Sequence, residues 1–206
     1  MSNLAIKQNT KLTHKEYFAL EEELKEKFEY IAGKVFAMAG GSLLHSLIGK
    51  NTTTALDLLL RNTSCTAFNS DTKLYIKEID SFFYPDAMMI CDKVDLQQVA
   101  IESPQIIIEV LSDSTEAYDR GKKFANYRLI PTLQTYMMLH QDKPLAEVYQ
   151  RTEDNAWLLR EYAGLETIIP LNKEIKLAIA DLYWGIEFKD SATLKLKQKP
   201  NQFRGQ

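Results

Sequence analysis

The chain contains the run Ile106-Ile107-Ile108-Glu109-Val110-Leu111 shortly after Pro104. The length of this run and its β-branched residues predict a buried β-strand. An ionised carboxylate inside such a strand costs several kcal/mol unless a cation or strong hydrogen-bond donors meet it. Buried ionisable groups concentrate at functional sites, so Glu109 marks a candidate site.

A second apolar run repeats this pattern, because Asp86 follows Pro85 inside residues 82–90. Downstream, the segment 119–123 brings two lysines that could lie near both acids. Two acids on strands and a lysine are the parts of a divalent-metal site for phosphodiester hydrolysis. The structural alternatives are a Glu109 tied to a helix N-terminus or to Arg120, and an Asp86 that is only a turn residue after proline.

The chemistry of such a site fits oxygen ligands. Metal ions on carboxylates neutralise phosphate charge and activate water, and Mg²⁺ uses only one or two protein carboxylates while it retains waters. We therefore predict Mg²⁺, with Mn²⁺ as a substitute, on Asp86 and Glu109, and the backbone carbonyl of Val110 as a further ligand. A lysine beside the metal would orient water or neutralise the scissile phosphate.

Composition predicts one globular domain. The chain has 206 residues, of which 45% are hydrophobic and 26% charged, as in soluble domains with a real core. No run approaches the roughly 18 apolar residues of a membrane span, and the N-terminus lacks the apolar core of a secretory signal. We expect a cytoplasmic protein without a membrane partner. Cys65 and Cys91 are too few for a disulfide framework or a Cys-ligated zinc site.

The charge balance differs between the body and the end of the chain. Five of the 25 basic residues and one of the 28 acidic residues lie in 189–206, which leaves a net charge of −7 for the first 188 residues. A dedicated non-specific DNA binder carries a basic face. Tight constitutive binding to nucleic acid is therefore not expected of the body.

The predicted elements give a single α/β domain with a mixed central sheet flanked by helices. Thr13 and Glu16 form a capping box for a helix to about Lys27, and Ser42 caps a helix to about Arg61. A third helix begins at Ser114 or Thr115 and ends before Pro131. The predicted strands are 28–31, 34–38, 65–69, 72–79, 82–91, 106–111, 135–140, 146–150, 157–162 and 175–179, with a last helix at 180–184. We expect a flexible lead at 1–12, the domain at 13–188 and a flexible basic tail at 189–206.

The order of the motifs resembles a known family. Pro85-Asp86, then Ile108-Glu109-Val110-Leu111-Ser112, then Asp119-Arg120-Gly121-Lys122-Lys123 through Tyr127 is similar to the Uma2 family, also known as DUF820. Its members are nucleases of the restriction-endonuclease-like PD-(D/E)XK superfamily. The resemblance runs from about Thr13 to Phe188, and Glu29 with Gly33, His45 and Ser70-Asp71 also match.

The resemblance implies a restriction-endonuclease-like fold and a metal-dependent endonuclease that cuts DNA. Asp86 and Glu109 would be the metal ligands and catalytic acids. Leu111 stands where the superfamily usually has its lysine, and the family pattern moves that role to Lys123. On a helix, Lys123 and Tyr127 share a face because they are four residues apart. Ala32 and Asp113 depart from the family pattern, which usually has an acid and a proline at these positions.

The accessory residues keep two interpretations each. His45 either faces the metal and assists water activation or is a hydrogen-bonded core histidine. Glu29 is either an outer metal ligand or a surface charge, and for Asp71 we favour a structural turn over a site role.

Three functions remain open from the sequence. The first is the Mg²⁺-dependent endonuclease, as a homodimer by analogy with enzymes that cut both strands of a duplex, with the interface on the strands after Pro131. The second is a non-catalytic nucleic-acid-binding or regulatory protein that retains the fold. The third is a glycosidase that uses the two carboxylates without a metal.

Overall fold

The computed structural model describes residues 11–38, 40–172, 175–188 and the backbone of 195–196. The α-helices in these ranges are α1 His14–Leu24, α2 Leu43–Leu60, α3 Glu116–Tyr118, α4 Phe124–Tyr127 and α5 Ile179–Leu182. The strands are β1 Phe28–Ile31, β2 Lys34–Ala37, β3 Thr66–Asn69, β4 Leu74–Ile76, β5 Ser81–Phe83, β6 Ala87–Ile90, β7 Ile106–Val110, β8 Thr135–Leu139, β9 Leu145–Arg151, β10 Trp157–Ala163, β11 Ile168–Pro170, β12 Lys176–Ala178, β13 Ile186–Glu187 and β14 Lys195–Leu196.

A six-stranded sheet forms the centre, in the order β10-β9-β8-β7-β6-β3. Strands β7 and β8 are parallel and the other neighbours are antiparallel. A smaller antiparallel sheet, in the order β2-β1-β5-β4, lies beside α1. The predicted mixed α/β domain with a central sheet flanked by helices is confirmed.

Strand β7 supplies side chains to the cores on both faces of the central sheet. Ile106, Ile108 and Val110 contribute to the core that α2 and α5 cover, whereas Ile107 contributes to the core that contains α4. Side chains alternate along a strand, so Glu109 lies on the same face as Ile107. The strand therefore delivers one carboxylate to the α4 face.

The caps of the first two helices follow the prediction. The side chain of Thr13 accepts a hydrogen bond from the backbone of Glu16, whose carboxylate accepts in return from the Thr13 backbone. The Ser42 hydroxyl accepts from the backbone N–H of His45 at 3.0 Å. Both N-termini are thus fixed by local side-chain bonds, as the sequence indicated.

The prediction of a single strand at 82–91 was wrong, because this segment forms parts of two strands, β5 and β6. The chain leaves the small sheet after Phe83 and enters the central sheet at Ala87. Pro85 lies in the break, where it needs no N–H for a sheet hydrogen bond. The strand predicted at 72–79 is also shorter, because a 3-10 turn at Lys77–Ile79 follows β4.

The third predicted helix is interrupted. A π-helical turn, Asp119–Lys123, separates α3 from α4. Thr115 precedes α3, but its side chain makes no capping bond. Such π turns are rare and occur often at functional sites, and this one carries the segment that holds the two lysines.

The two cysteines form a disulfide between Cys65 and Cys91, a pairing that the sequence analysis did not predict. Residues Thr66 and Ile90 are paired across β3 and β6, so the cysteines occupy the next opposed positions. The bond ties the edge strand β3 to its neighbour.

Within the described part of the chain, no helix has the length and apolar character needed to cross a membrane. The segments predicted as flexible, 1–12 and 189–206, lie mostly outside the described residues. Within the second segment, β14 pairs antiparallel with β13.

The β1–β2 turn provides a test of the fold. Ala32 and Gly33 both have positive φ, 47° and 97°, a conformation that costs an L-residue roughly 1–2 kcal/mol and that Asn adopts more readily. We expect Ala32→Asn to raise the free energy of unfolding by about 0.5–1 kcal/mol, as measured by urea denaturation.

The neighbouring glycine gives the matched control. Gly33→Ala keeps a positive φ and brings a Cβ to 2.8 Å from the Cβ of Lys11, so we expect it to destabilise by more than about 1 kcal/mol. Equal changes from the two substitutions would contradict this description of the turn.

Candidate active site

Strands β6 and β7 bring the two predicted acids together. Met88 lies opposite Ile107 and Ala87 opposite Ile108, and the same register sets Asp86 beside Glu109. Asp86 Oδ2 accepts a hydrogen bond from the backbone N–H of Val110 at 2.7 Å. The carboxylate of Asp86 is thereby fixed against the strand that carries Glu109.

Lys123, in the π turn, contacts Glu109 of this pair and two further carboxylates. Its Nζ lies 2.9 Å from Glu109 Oε1, 3.4 Å from Asp119 Oδ1 and 3.6 Å from Glu29 Oε1. The lysine side chain is only 8% exposed and that of Glu109 only 4%. One buried ammonium therefore faces three buried carboxylates.

The helix orients the predicted catalytic lysine and its neighbour as expected. Lys123 and Tyr127 are both buried, and the Tyr127 hydroxyl donates to Glu109 Oε1 at 2.8 Å. Lys122 is exposed. The prediction that Lys123 shares a face with Tyr127, and that Lys122 does not, agrees with this arrangement.

Glu29 reaches the cluster from the small sheet. It is 8% exposed, and its Oε2 accepts a hydrogen bond from the Tyr118 hydroxyl at 3.0 Å. The interpretation of Glu29 as a surface charge is therefore wrong. Its contact with Lys123 makes it a partner of the lysine.

His45 contacts the other acid. Its Nε2 lies 3.2 Å from Asp86 Oδ2, and it also bonds to the backbone of Val110. A Cβ on Gly41 would lie 2.9 Å from His45 Nδ1, so the glycine leaves room for the ring. The bond to Asp86 raises the pKa of His45 above its ordinary value, against the opposing effect of burial.

Asp71 and Arg120 lie outside this cluster. Asp71 is exposed, forms an ion pair with Lys27 at 2.6 Å and donates its backbone N–H to Asn69 Oδ1, which agrees with a structural turn. Arg120 forms ion pairs with Glu116 and Glu147. The alternative in which Arg120 neutralises Glu109 is therefore wrong.

The cluster lies at the floor of a cleft of about 1370 Å³. Asp86, Glu109 and Lys123 line the floor, the β1–β2 hairpin forms one side and the β8–β9 connection the other. Asp119 belongs to the 119–123 motif and was not predicted as a site residue, although its spacing of four residues before Lys123 is a usable signal. Nothing comparable in the sequence pointed to Tyr118.

Burial and an excess of negative charge perturb the ionisable groups. Burial raises the pKa of Glu109 well above its ordinary value; the nearby Lys123 opposes this shift, and Asp86 and Asp119 add to it. The pKa of Lys123 is also raised, because its three carboxylate partners outweigh its own burial. The ammonium is thus held in its charged form while ionised Glu109 is disfavoured.

The oxygen donors fit a hard divalent cation. Two carboxylates on adjacent strands and the Val110 carbonyl resemble the sparse ligand set with which proteins bind Mg²⁺. Within the described ranges, no group of three or more His, Cys, Asp or Glu side chains is arranged to hold a metal ion. A cation held by two carboxylates and one carbonyl would keep several of its waters. The buried Asp119 Oδ1 accepts no hydrogen bond and shares the Lys123 ammonium, 3.4 Å away, with two other carboxylates.

Comparison with known proteins assigns the chain to a family. A family model described as "Uma2: Putative restriction endonuclease" matches residues 14–180. The chain belongs to the Uma2 family. This range contains every predicted site residue and lies within the limits of 13 and 188 expected from the sequence.

Two relatives of the chain come from Synechocystis sp. The uncharacterized protein sll1609 is 39% identical over 156 residues, which cover 74% of this chain and 88% of the relative. The uncharacterized protein slr1290 is 35% identical over 179 residues, 86% of this chain and 94% of the relative. Both relatives are matched over most of their length.

A solved structure shares the Uma2 fold. It is the crystal structure of a putative nuclease belonging to DUF820 from Anabaena variabilis, with a TM-score of 0.61 and 20% identity. The match covers 79% of this chain and 96% of that chain. At this identity the likeness shows the fold.

The raised pKa of Glu109 predicts a pH-dependent stability of the metal-free protein. A carboxyl that binds its proton more tightly when folded contributes stability below its unfolded pKa of about 4.3, and this contribution is lost as pH rises toward the folded value. The raised pKa of Lys123 does not affect how stability varies with pH between these values, because lysine is protonated in the folded and unfolded states below pH of about 10.

We therefore expect the melting temperature in EDTA to fall from about pH 5 to 8, and Glu109→Gln to flatten that fall. The test is a series of circular-dichroism melts of both proteins. Parallel profiles for wild type and Glu109→Gln would show that Glu109 ionises in the folded state as easily as in the unfolded chain.

Proposed function

We propose that this Uma2 protein is a Mg²⁺-dependent endonuclease that hydrolyses DNA phosphodiester bonds, with Mn²⁺ as a substitute metal. The observation that carries the proposal is the contact of buried Lys123 with Glu109, beside Asp86 on the adjacent strand. Membership in a family described as restriction endonucleases supports the nuclease activity.

Asp86 and Glu109 would hold the metal, with the Val110 carbonyl as a third oxygen. A bound divalent cation supplies a Lewis acid for the phosphoryl oxygen and lowers the pKa of a bound water. The Tyr127 hydroxyl fixes Glu109 Oε1 by its hydrogen bond. His45 fixes Asp86 and contacts the Val110 backbone, so it orients two of the three donors.

Lys123 would position the attacking water or neutralise the scissile phosphate. Asp119 and Glu29 hold its ammonium charged and in place at the cleft floor. A preorganised charge in a water-poor site stabilises developing negative charge far better than the same charge in water. The role that the superfamily usually gives to a strand lysine would thus be filled from the helix.

The assembly and location are part of the proposal. The edge strand β10 presents Leu158 and Leu159, 43% and 42% exposed, on the segment after Pro131 where we place a homodimer contact. Light scattering of the purified chain measures its molar mass in solution and so distinguishes a homodimer from a monomer. Residence in the cytoplasm stays a prediction.

The two lysines give the sharpest test of the catalytic assignment. We expect Lys123→Ala to reduce cleavage of labelled DNA at least ~100-fold, the scale for one lost preorganised group. Lys122→Ala is the matched control, and we expect a change below about threefold, since Lys122 also lines the cleft but its exposed ammonium is solvated and screened by salt. Glu109→Ala should abolish both cleavage and metal binding.

Lys123→Ala leaves three buried carboxylates without their cation, which costs about 3–5 kcal/mol. Activity is therefore measured below the melting temperature of the variant, after circular dichroism confirms the fold. Equal, mild losses from the two lysine substitutions would exclude Lys123 as the catalytic lysine. Cleavage that survives EDTA would exclude the metal-dependent mechanism, and DNA binding without cleavage would favour the regulatory protein.

A further inference from the structure

An apolar patch lies directly beside the acidic floor of the cleft. We define the apolar wall as Ile31, Phe36 and Met38, which all line the cleft. Phe36 is paired with Glu29 across β1 and β2, so the two side chains project from the same face of the hairpin. The ring of Phe36 therefore stands next to the carboxylate that holds Lys123.

Ile31 packs against the core at the base of the wall, whereas Phe36 and Met38 are open to the cleft. On the opposite face of the hairpin, Tyr30 and Val35 pack in the core under α1. On the cleft face, Phe36 is 49% exposed and Met38 37% exposed. The exposed ring of Phe36 is thus available to a ligand, next to its cross-strand partner Glu29, which contacts Lys123.

The charges that line the cleft supply little affinity for phosphate, because its two exposed lysines, Lys122 and Lys143, stand among seven Asp and Glu side chains. The ammonium of Lys123 already faces three carboxylates, and His45 faces Asp86. The whole chain carries a net charge of −3. Proteins that grip duplex DNA gain affinity chiefly by neutralising phosphates with Lys and Arg. Binding at this cleft needs another source of free energy.

Base stacking is that source. An exposed aromatic ring contributes about 5- to 150-fold in affinity per stacked base, and any base can use it. A base pair inside a duplex has both faces covered by its neighbours, so an unpaired strand offers the free face that Phe36 requires.

The shape of the cleft favours the same substrate. The side chain of Glu109 is 4% exposed, so a phosphate must descend to the floor to reach it. A hydrogen bond from the Ser42 hydroxyl to Gln141 Oε1, at 2.8 Å, fixes the N-terminus of α2 to the β8–β9 connection beside the floor. Gln141 in turn donates to the Leu111 carbonyl at 2.6 Å. A single strand can reach a buried floor framed in this way more deeply than a paired duplex.

We propose that the substrate is single-stranded nucleic acid, or an unpaired segment of it, with the base next to the scissile phosphate stacked on Phe36. This inference rests on the proposed nuclease function and names its substrate class. Phe36 is then a substrate-binding residue, and Met38 and Ile31 complete the apolar surface under the base.

The test separates binding from turnover. Fluorescence anisotropy of the Glu109→Gln full-length chain measures affinity for a labelled unpaired oligonucleotide and for the same sequence in a blunt hairpin duplex. We expect the unpaired strand to bind at least about tenfold more tightly. The slope of log affinity against log salt should be shallower than about −1.4, the value for two phosphates on a single strand.

Substitutions in the same background identify the ring as the cause. Phe36→Ala and Phe36→Leu should each weaken binding of the unpaired strand about tenfold, whereas Phe36→Trp retains it. Leu24→Ala, a comparably exposed apolar residue at the end of α1, is the control and should change nothing. Equal affinity for duplex and single strand, or full binding by Phe36→Leu, would overturn the inference.

Cleavage by the wild-type chain distinguishes the two proposals. Cutting of both substrates at equal rates, unaffected by Phe36→Ala, would overturn the single-strand inference and leave the nuclease function intact. Failure to cut either substrate with Mg²⁺ or Mn²⁺, together with Phe36-dependent binding, would overturn the nuclease function and leave the stacking surface.

Discussion

The rest of the site depends on the ion pairs of the buried Lys123 ammonium. It contacts carboxylates from three separate elements: Glu109 on β7, Glu29 on β1 and Asp119 in the π turn. Breaking a buried ion pair by removing one partner is far more costly than the net stabilisation it supplies. The cluster therefore joins the central sheet, the small sheet and the helical segment at one point, and that point is the cleft floor.

The same cluster carries an excess of negative charge. The carboxylates outnumber the ammonium, and burial disfavours ionised Glu109. A divalent cation near Asp86 and Glu109 would relieve the repulsion that the protein alone leaves uncompensated. The positions of His45 and Tyr127 limit the freedom of the two acids, since each acid already accepts a bond from one of them. Binding of a divalent cation would therefore offset part of the free energy that burial of Asp86 and Glu109 costs.

The sequence predicted those parts of the fold that local chemistry decides. The caps at Thr13 and Ser42, the buried strand around Glu109 and the pairing of Lys123 with Tyr127 on one helix face follow from side chains a few residues apart. The division of 82–91 between two sheets did not follow, because strand pairing depends on residues far away in the sequence. The π turn was equally invisible, since Tyr136 on β8 donates to the Asp119 carbonyl and Lys123 contacts Glu109 and Glu29 on other elements. Asp119 was missed although its spacing of four residues before Lys123 is a local signal.

Crystals of the full chain grown with Mn²⁺ would decide whether Asp86, Glu109 and Lys123 form the proposed metal-dependent site, by anomalous scattering at the manganese absorption edge. We expect an anomalous peak in contact with Asp86, Glu109 and the Val110 carbonyl, with the Lys123 ammonium still at the cleft floor. A complete absence of such a peak at saturating Mn²⁺, with the Lys123–Glu109 ion pair intact, would contradict it.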